Sequence, residues 1–216
     1  MDVFFGDVAA VPWLDLDAPW KTIGGLDEIL DGLTPAGVLV EEGATVAEGV
    51  VLGSTRLFLG RRAKVDPGVV FTGGPVYVGE DVEIRAGAYL RGPVFLGPGV
   101  VVGHATEVKN ALFLPRARAP HFNYVGDSIL GENVNLGAGA IISNFKLDGG
   151  QIKVTWRGAR VRTGVNKLGA ILGQNCSLGC NTVCNPGTVL EPGTKVFPLA
   201  TVRGGGKSSS GVKKCE

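Results

Sequence analysis

An aliphatic residue recurs every six positions along most of this chain. From Val78 the series runs Val78, Ile84, Leu90, Leu96, Val102, Val108 and Leu114. It resumes at Leu130, Leu136 and Ile142, and again at Leu172, Leu178, Cys184, Leu190, Val196 and Val202. A looser version precedes it at Val40, Val46, Leu52, Leu59, Val65 and Phe71. Turns follow many of these positions, as in LGPG, LGEN, LGAG and LEPG. A helix repeats about every 3.6 residues and a lone strand every two, so neither explains a period of six. A short strand, a corner and another short strand does. The pattern predicts an all-β fold, a parallel β-helix of hexapeptide repeats, in which each coil hydrogen-bonds to its neighbours. With three rungs to a coil, residues 38–203 supply about seven or eight coils. After Leu114 the slots step by eleven to Val125 and by five to Leu130, so the coil is expected to tighten there.

Three segments depart from the pattern. Residues 1–37 form an N-terminal cap segment, with a short helix expected around Gly24–Leu33. Leu26, Ile29, Leu30 and Leu33 make an apolar stripe on it, which is expected to close the open end of the solenoid. Residues 143–170 interrupt the rungs, and Gln151–Trp156 and Ala159–Thr163 flank Arg157-Gly158 as a projecting hairpin. Arg160 and Arg162 alternate onto one face of its strand, and with Arg157 they are expected to reach over a neighbouring subunit's groove and meet phosphates. Residues 204–216 read as a flexible, low-complexity tail.

Composition narrows the function classes. Glycine and proline make up 47 of 216 residues, yet 44% of the chain is hydrophobic, which excludes both disorder and an all-α fold. The net charge of +1 provides no global field for nucleic acid or an anionic membrane. No apolar run approaches the roughly 18 residues of a membrane span. The acidic start lacks the basic region of a secretory signal, so a cytoplasmic address is expected. Cys176, Cys180 and Cys184 lie four apart, unlike the paired spacing of a zinc site, and Cys184 falls in an apolar slot.

Rungs are structural, so chemistry is sought where the sequence leaves them. The densest departure is Leu114–Asn144, which gathers His121, Asn123, Tyr124, Asp127, Asn133, Asn135 and Asn144. Upstream lie Arg91, His104, Glu107 and Lys109. Of the two histidines, His104 sits at a turn where a solvated imidazole is the default. His121 follows a proline and has polar neighbours to orient it.

The stretch APHFNYVGDSILGENVNLGAGAIISN resembles the acetyltransferase domain of bifunctional glucosamine-1-phosphate N-acetyltransferase / N-acetylglucosamine-1-phosphate uridylyltransferase. The motifs are HFNYVGD, NVNLGAG, the asparagine ending that rung, and the later NK. The likeness runs from Arg91 to Asn144 and, past the inserted hairpin, from Asn166 to about Val202. It implies a left-handed β-helix, a homotrimer with sites between subunits, and acetyl-CoA as acyl donor with no metal. It also implies roles. His121 matches the general base, and Asn144 an amide that holds the acceptor and orients that base. Arg91, Lys109, Tyr124, Asn135 and Lys167 match the residues that grip the phosphorylated amino sugar. Ala138, Cys180 and Pro198 fall where the coenzyme groove is lined. Cysteine and proline depart from the alanine or serine usual at the last two positions, and a proline has no N–H to offer a ligand.

The chemistry is consistent with those roles. Acyl transfer to an amine needs the amine neutral, and an imidazole can take its proton near neutral pH. A thioester is already activated, so positioning two substrates end to end supplies much of the rate. The glycine-rich nucleotidyltransferase loop of the bifunctional enzymes is not found, so no nucleotidyl transfer is expected and a separate nucleotidyltransferase becomes a candidate partner. The competing reading is a non-catalytic trimeric scaffold or nucleotide-sugar sensor that retains the groove.

Overall fold

The computed structural model describes residues 1–54 and 56–204, and beyond them the backbone of two short strands, Lys207–Ser208 and Val212–Lys214. It is a left-handed parallel β-helix whose coils are triangles of short strands. Each face contributes one inward column. On the first face stack Val46, Val65, Ile84, Val102, Ala119, Leu136, Leu178 and Val196. On the second stack Leu52, Phe71, Leu90, Val108, Val125, Ile142, Cys184 and Val202. On the third stack Val40, Leu59, Val78, Leu96, Phe113, Leu130, Leu172 and Leu190. From the second coil onward these side chains form one continuous buried core. Cys176 joins it, and burial pushes its thiol and that of Cys184 up to about 12.

One rung differs from the sequence expectation. Phe113, not Leu114, points inward, pairing with Leu96 on one side and Leu130 on the other. Leu114 turns outward into a second apolar cluster. Ala119 fills the next slot, so Phe113, Ala119 and Val125 follow at steps of six, and the expected tightening is confined to the step of five from Val125 to Leu130. The step of five occurs at Val108–Phe113 as well as Val125–Leu130, across the same corner. A side chain as small as alanine does not register as a rung in an aliphatic pattern.

The third face is apolar on its outer side too. Phe58, Tyr77, Phe95, Leu112, Ile129, Ile171 and Val189 follow one another in register there. The rings of Phe58, Tyr77 and Phe95 stack with centroids 4.7 and 4.9 Å apart. Residues 1–33 and the hairpin cover most of this surface. Helix α1 (Pro19–Gly24) lies against strands Glu107–Phe113 and Tyr124–Leu130, and helix α2 (Leu26–Leu33) packs its buried Leu26 and Leu30 across strands Val70–Val78 and Tyr89–Leu96. The segment therefore caps a face and not the open end, where Val40, Val46 and Leu52 remain 45, 38 and 44% exposed. Ahead of the helices the chain is pinned to the coils by Glu132 N–H and Gln174 N–H, which donate to the Phe5 and Phe4 carbonyls at 2.9 and 2.7 Å.

The hairpin, strands Lys153–Trp156 and Ala159–Arg162, folds back onto its own chain. Ile152, Val154 and Trp156 enter the cluster of Phe5, Trp20 and Ile171. Arg157, expected to reach a neighbour, instead pairs with Asp17 of its own N-terminal segment at 2.6 Å. The alternation of the strand explains this: Val154, Trp156 and Val161 share the apolar face, leaving Lys153, Thr155, Arg160 and Arg162 on the outer one. In the expected tail, the two short strands pair antiparallel with the last coils. Residues 205, 206, 209–211, 215 and 216 of the tail, Cys215 included, lie outside the described residues. Among the described residues no helix is long and apolar enough to cross a membrane.

Candidate functional site

The corner between the first and second faces carries the strongest candidate chemistry. His104 and His121 are direct neighbours in the ladder. Below them the column continues through Ala138, Cys180 and Pro198, as the hydrogen bonds show. Phe122 N–H donates to the His104 carbonyl at 2.8 Å and Gly139 N–H to that of His121 at 3.1 Å. Asn181 N–H donates to the Ala138 carbonyl at 2.8 Å and Leu199 N–H to that of Cys180 at 2.9 Å. The residue proposed as base and the three proposed to line the coenzyme groove thus form one line along the prism edge. Cys180 is exposed, as is the His121 ring.

Local interactions fix the His121 backbone. Asn123 is 3% exposed; its side-chain oxygen accepts the His121 N–H at 3.1 Å, and its amide donates to the Gly137 carbonyl at 2.8 Å. Asn123 is therefore a corner brace facing backbone, which is a structural role for a residue the motif also contains. Phe122, between them, takes φ +38° and leaves its ring 54% exposed against Gly139. Gly139 takes φ +70°, and a Cβ there would meet the Asn181 and Phe122 side chains, so glycine suits this close corner. His104 is more than a solvated imidazole: its Nδ1 lies 2.6 Å from the Ala86 carbonyl and donates to it.

On the adjoining second face, Arg91, Lys109 and Gly126 stand in register, as do Glu107 and Tyr124. Asp127 organises this group. It is 3% exposed, adopts φ +48°, and takes hydrogen bonds from Lys109 Nζ at 3.4 Å, Asn110 Nδ2 at 2.7 Å and Asn144 Nδ2. Arg91 pairs with Glu107 at 3.6 Å. Gly126 leaves room for Tyr124 and Asn144 to meet, since a Cβ would sit 2.7 Å from each. Burial, followed by the Glu107 and Asp127 carboxylates, raises the Tyr124 phenol above its ordinary range, while Arg91 and Asn144 act the other way. Tyr124 is accordingly a neutral hydrogen-bond donor at physiological pH. Lys167 bridges to Phe145, and the next residue, Leu168, donates its N–H to the Asn144 carbonyl at 3.0 Å.

Most of the expected site residues therefore gather on one edge and one face: His121, Ala138, Cys180 and Pro198 in the corner, and Arg91, Lys109, Tyr124, Asn144 and Lys167 beyond it. Asn135 does not join them. It lies on the first face, between Arg118 and Ser177. Asp127 and Glu107 are the members that residue-by-residue matching left without a role. The available signal was an acid directly after Gly126, within the otherwise uncharged strand Tyr124–Leu130. Asp127→Asn keeps the shape and tolerates the positive φ but loses the charge and turns one acceptor into a donor. It is expected to cost about 2 kcal/mol in a denaturant titration.

The fold and this edge define a hexapeptide-repeat β-helix with a polar site on its flank. The chain belongs to the family described as the GMPPB C-terminal domain, whose model matches residues 72–196, more than half its length. It is also similar to a bifunctional sugar-1-phosphate nucleotidylyltransferase/acetyltransferase of Sulfurisphaera tokodaii, 32% identical over 208 residues, covering 88% of this chain and 46% of that protein. Bifunctional protein GlmU of Methanocaldococcus jannaschii is 39% identical over 100 residues, covering 46% of this chain and 24% of GlmU. The chain thus spans less than half the length of these relatives. Among solved structures, a UDP-N-acetylglucosamine acyltransferase of Francisella novicida aligns with 82% of this chain and 68% of its own, at 14% identity and a TM-score of 0.34.

Proposed function

We propose that the protein is an acetyl-CoA-dependent N-acetyltransferase acting on an amino-sugar phosphate. The observation that carries this reading is the continuous column from His121 through Ala138, Cys180 and Pro198, flanked by the Arg91, Lys109, Tyr124 and Asn144 group. A small-residue edge suits an extended pantetheine chain, and the flanking group suits a sugar carrying an anion. Two of the relatives named above bear acetyltransferase or GlmU names.

In this reading the acceptor amine sits at the head of the column. The His121 imidazole takes a proton from the amine as its nitrogen bonds to the acetyl carbon. The carbon–sulfur bond then breaks, and the imidazolium returns the proton to the departing thiolate. Tyr124 and Asn144 hold the acceptor hydroxyls, and Arg91 and Lys109 its phosphate. A thiol-release assay with acetyl-CoA against a panel of amino-sugar phosphates tests this, and release with none of them would refute it.

We further propose a homotrimer. The third face is already covered by residues 1–33 and the hairpin, so the first and second faces are the ones left for packing against other copies. Phe122, Phe197 and Leu199 stand 54, 50 and 78% exposed at their shared corner, and a second chain laid there would bury them. It would also bring another copy's Asn135 within reach of the site. Light scattering should give three times the chain mass, and a stable monomer would rule out a shared site.

A further inference from the structure

The polar group around Asp127 has a deficit as a phosphate site. Its two principal cations already face carboxylates, Arg91 with Glu107 and Lys109 with Asp127. Among the described residues, a group of cations without carboxylate partners lies elsewhere. Between the outer face of the hairpin and the last two coils is a hollow of about 460 Å3, lined by Lys146, Lys153, Thr155, Arg160, Pro186 and Arg203 with Gly204. Lys153, Arg160 and Arg203 are exposed and Lys146 is half-buried, and none of the four forms an ion pair with a described residue. Lys146 Nζ donates only to the Gln151 carbonyl, at 2.7 Å. Asp148, two residues on from Lys146, lines the adjoining hollow and accepts the N–H of Gly150 within its own turn.

Four like charges around one concavity repel one another, and an anion bridging them removes that repulsion. Two arginine forks and two ammonium groups supply more donors than a single phosphate can use, and the hollow is of ligand size. We propose that this cavity is a binding site for the diphosphate of a nucleotide-borne ligand, separate from the group around Asp127. Its position fits a ligand that spans both. Arg203 follows Val202, two rungs along the second face from Ile142 and its neighbour Asn144, a separation of roughly 10 Å. The insertion that interrupts the repeat thereby gains a function beyond covering the third face: its apolar side packs inward and its cationic side walls the cavity.

Isothermal titration of the full chain with inorganic pyrophosphate at low ionic strength tests the site without requiring turnover, so the proposal stands or falls independently of acetyl transfer. Saturable binding is expected. The double reversal Lys153→Glu/Arg160→Glu should weaken it tenfold or more, and Arg203→Glu should do the same on a different element. Arg91→Ala should leave it within about twofold. The three charge reversals are at exposed positions, and matching thermal melts of all the variants will show that the fold is kept. Competition then identifies the source of the phosphates: displacement by coenzyme A points to the acyl donor, and displacement by UDP to a nucleotide-linked acceptor. Absence of saturable binding, full affinity in both reversal variants, loss of binding in Arg91→Ala, or displacement by neither nucleotide would overturn the assignment.

Discussion

Replacing His121 with alanine is expected to lower turnover by about a hundredfold or more, the usual range for a lost acid–base group. The fold should be unaffected. The ring is exposed, and the backbone at this corner is held by Asn123 and by the ladder to His104, neither of which needs the imidazole. Lys109 provides the contrast. Lys109→Ala is expected to raise KM by removing a charge that holds the acceptor in ground and transition states alike. It also strands the buried Asp127, so Lys109→Arg is the cleaner partner variant: it keeps the charge and should recover part of the binding. Wild-type turnover in His121→Ala would remove the base from the mechanism.

The largest stability effect is expected away from the site. Trp156 is 6% exposed, and its ring lies 4.8 Å from Phe4, 6.1 Å from Phe5 and 6.3 Å from Trp20. It is the point at which the hairpin, the N-terminal segment and the third face meet. Trp156→Ala should cost about 3–5 kcal/mol in denaturant unfolding and make residues 1–33 accessible to protease. Trp156→Phe should cost far less. The indole Nε1 is buried without a hydrogen-bond partner, so removing it relieves an unsatisfied donor while a ring remains. Equal losses in the two variants would mean that ring packing does not tie these segments together. The same packing makes deletion of the hairpin a poor probe of phosphate binding, because it would uncover Phe5, Trp20 and Ile171.

The solenoid was readable because its physics is periodic. A buried aliphatic side chain must reappear wherever the coil returns to the same face, and Val78 through Val108 obey that rule in both sequence and structure. Leu114 was misplaced because Phe113 beside it is equally apolar and Ala119 is too small to mark its slot. The outer apolar column of the third face had a visible signal, since Tyr77, Phe95, Leu112 and Ile129 each precede a rung residue. Its meaning was hidden, because only the fold reveals that residues 1–33 lie along it and not over the open end. For the hairpin, alternation correctly placed Arg160 and Arg162 on one side. It could not tell that the other side would find its partner within the same chain. Motif resemblance located the residues of the candidate site, but the charge balance at Arg91 and Lys109 depends on Glu107 and Asp127, which are neighbours only across coils.

Acetyl transfer to an amine is tested most directly by identifying the product. The purified full chain is incubated with acetyl-CoA and glucosamine-1-phosphate, with related amino-sugar phosphates in parallel, and the sugars are examined by proton NMR. The expected result is an N-acetyl amide signal that grows in step with free thiol and is reduced about a hundredfold or more in His121→Ala. Unchanged sugars throughout the panel, from protein that still binds coenzyme A or a nucleotide-sugar, would contradict catalysis and leave a binding protein in its place.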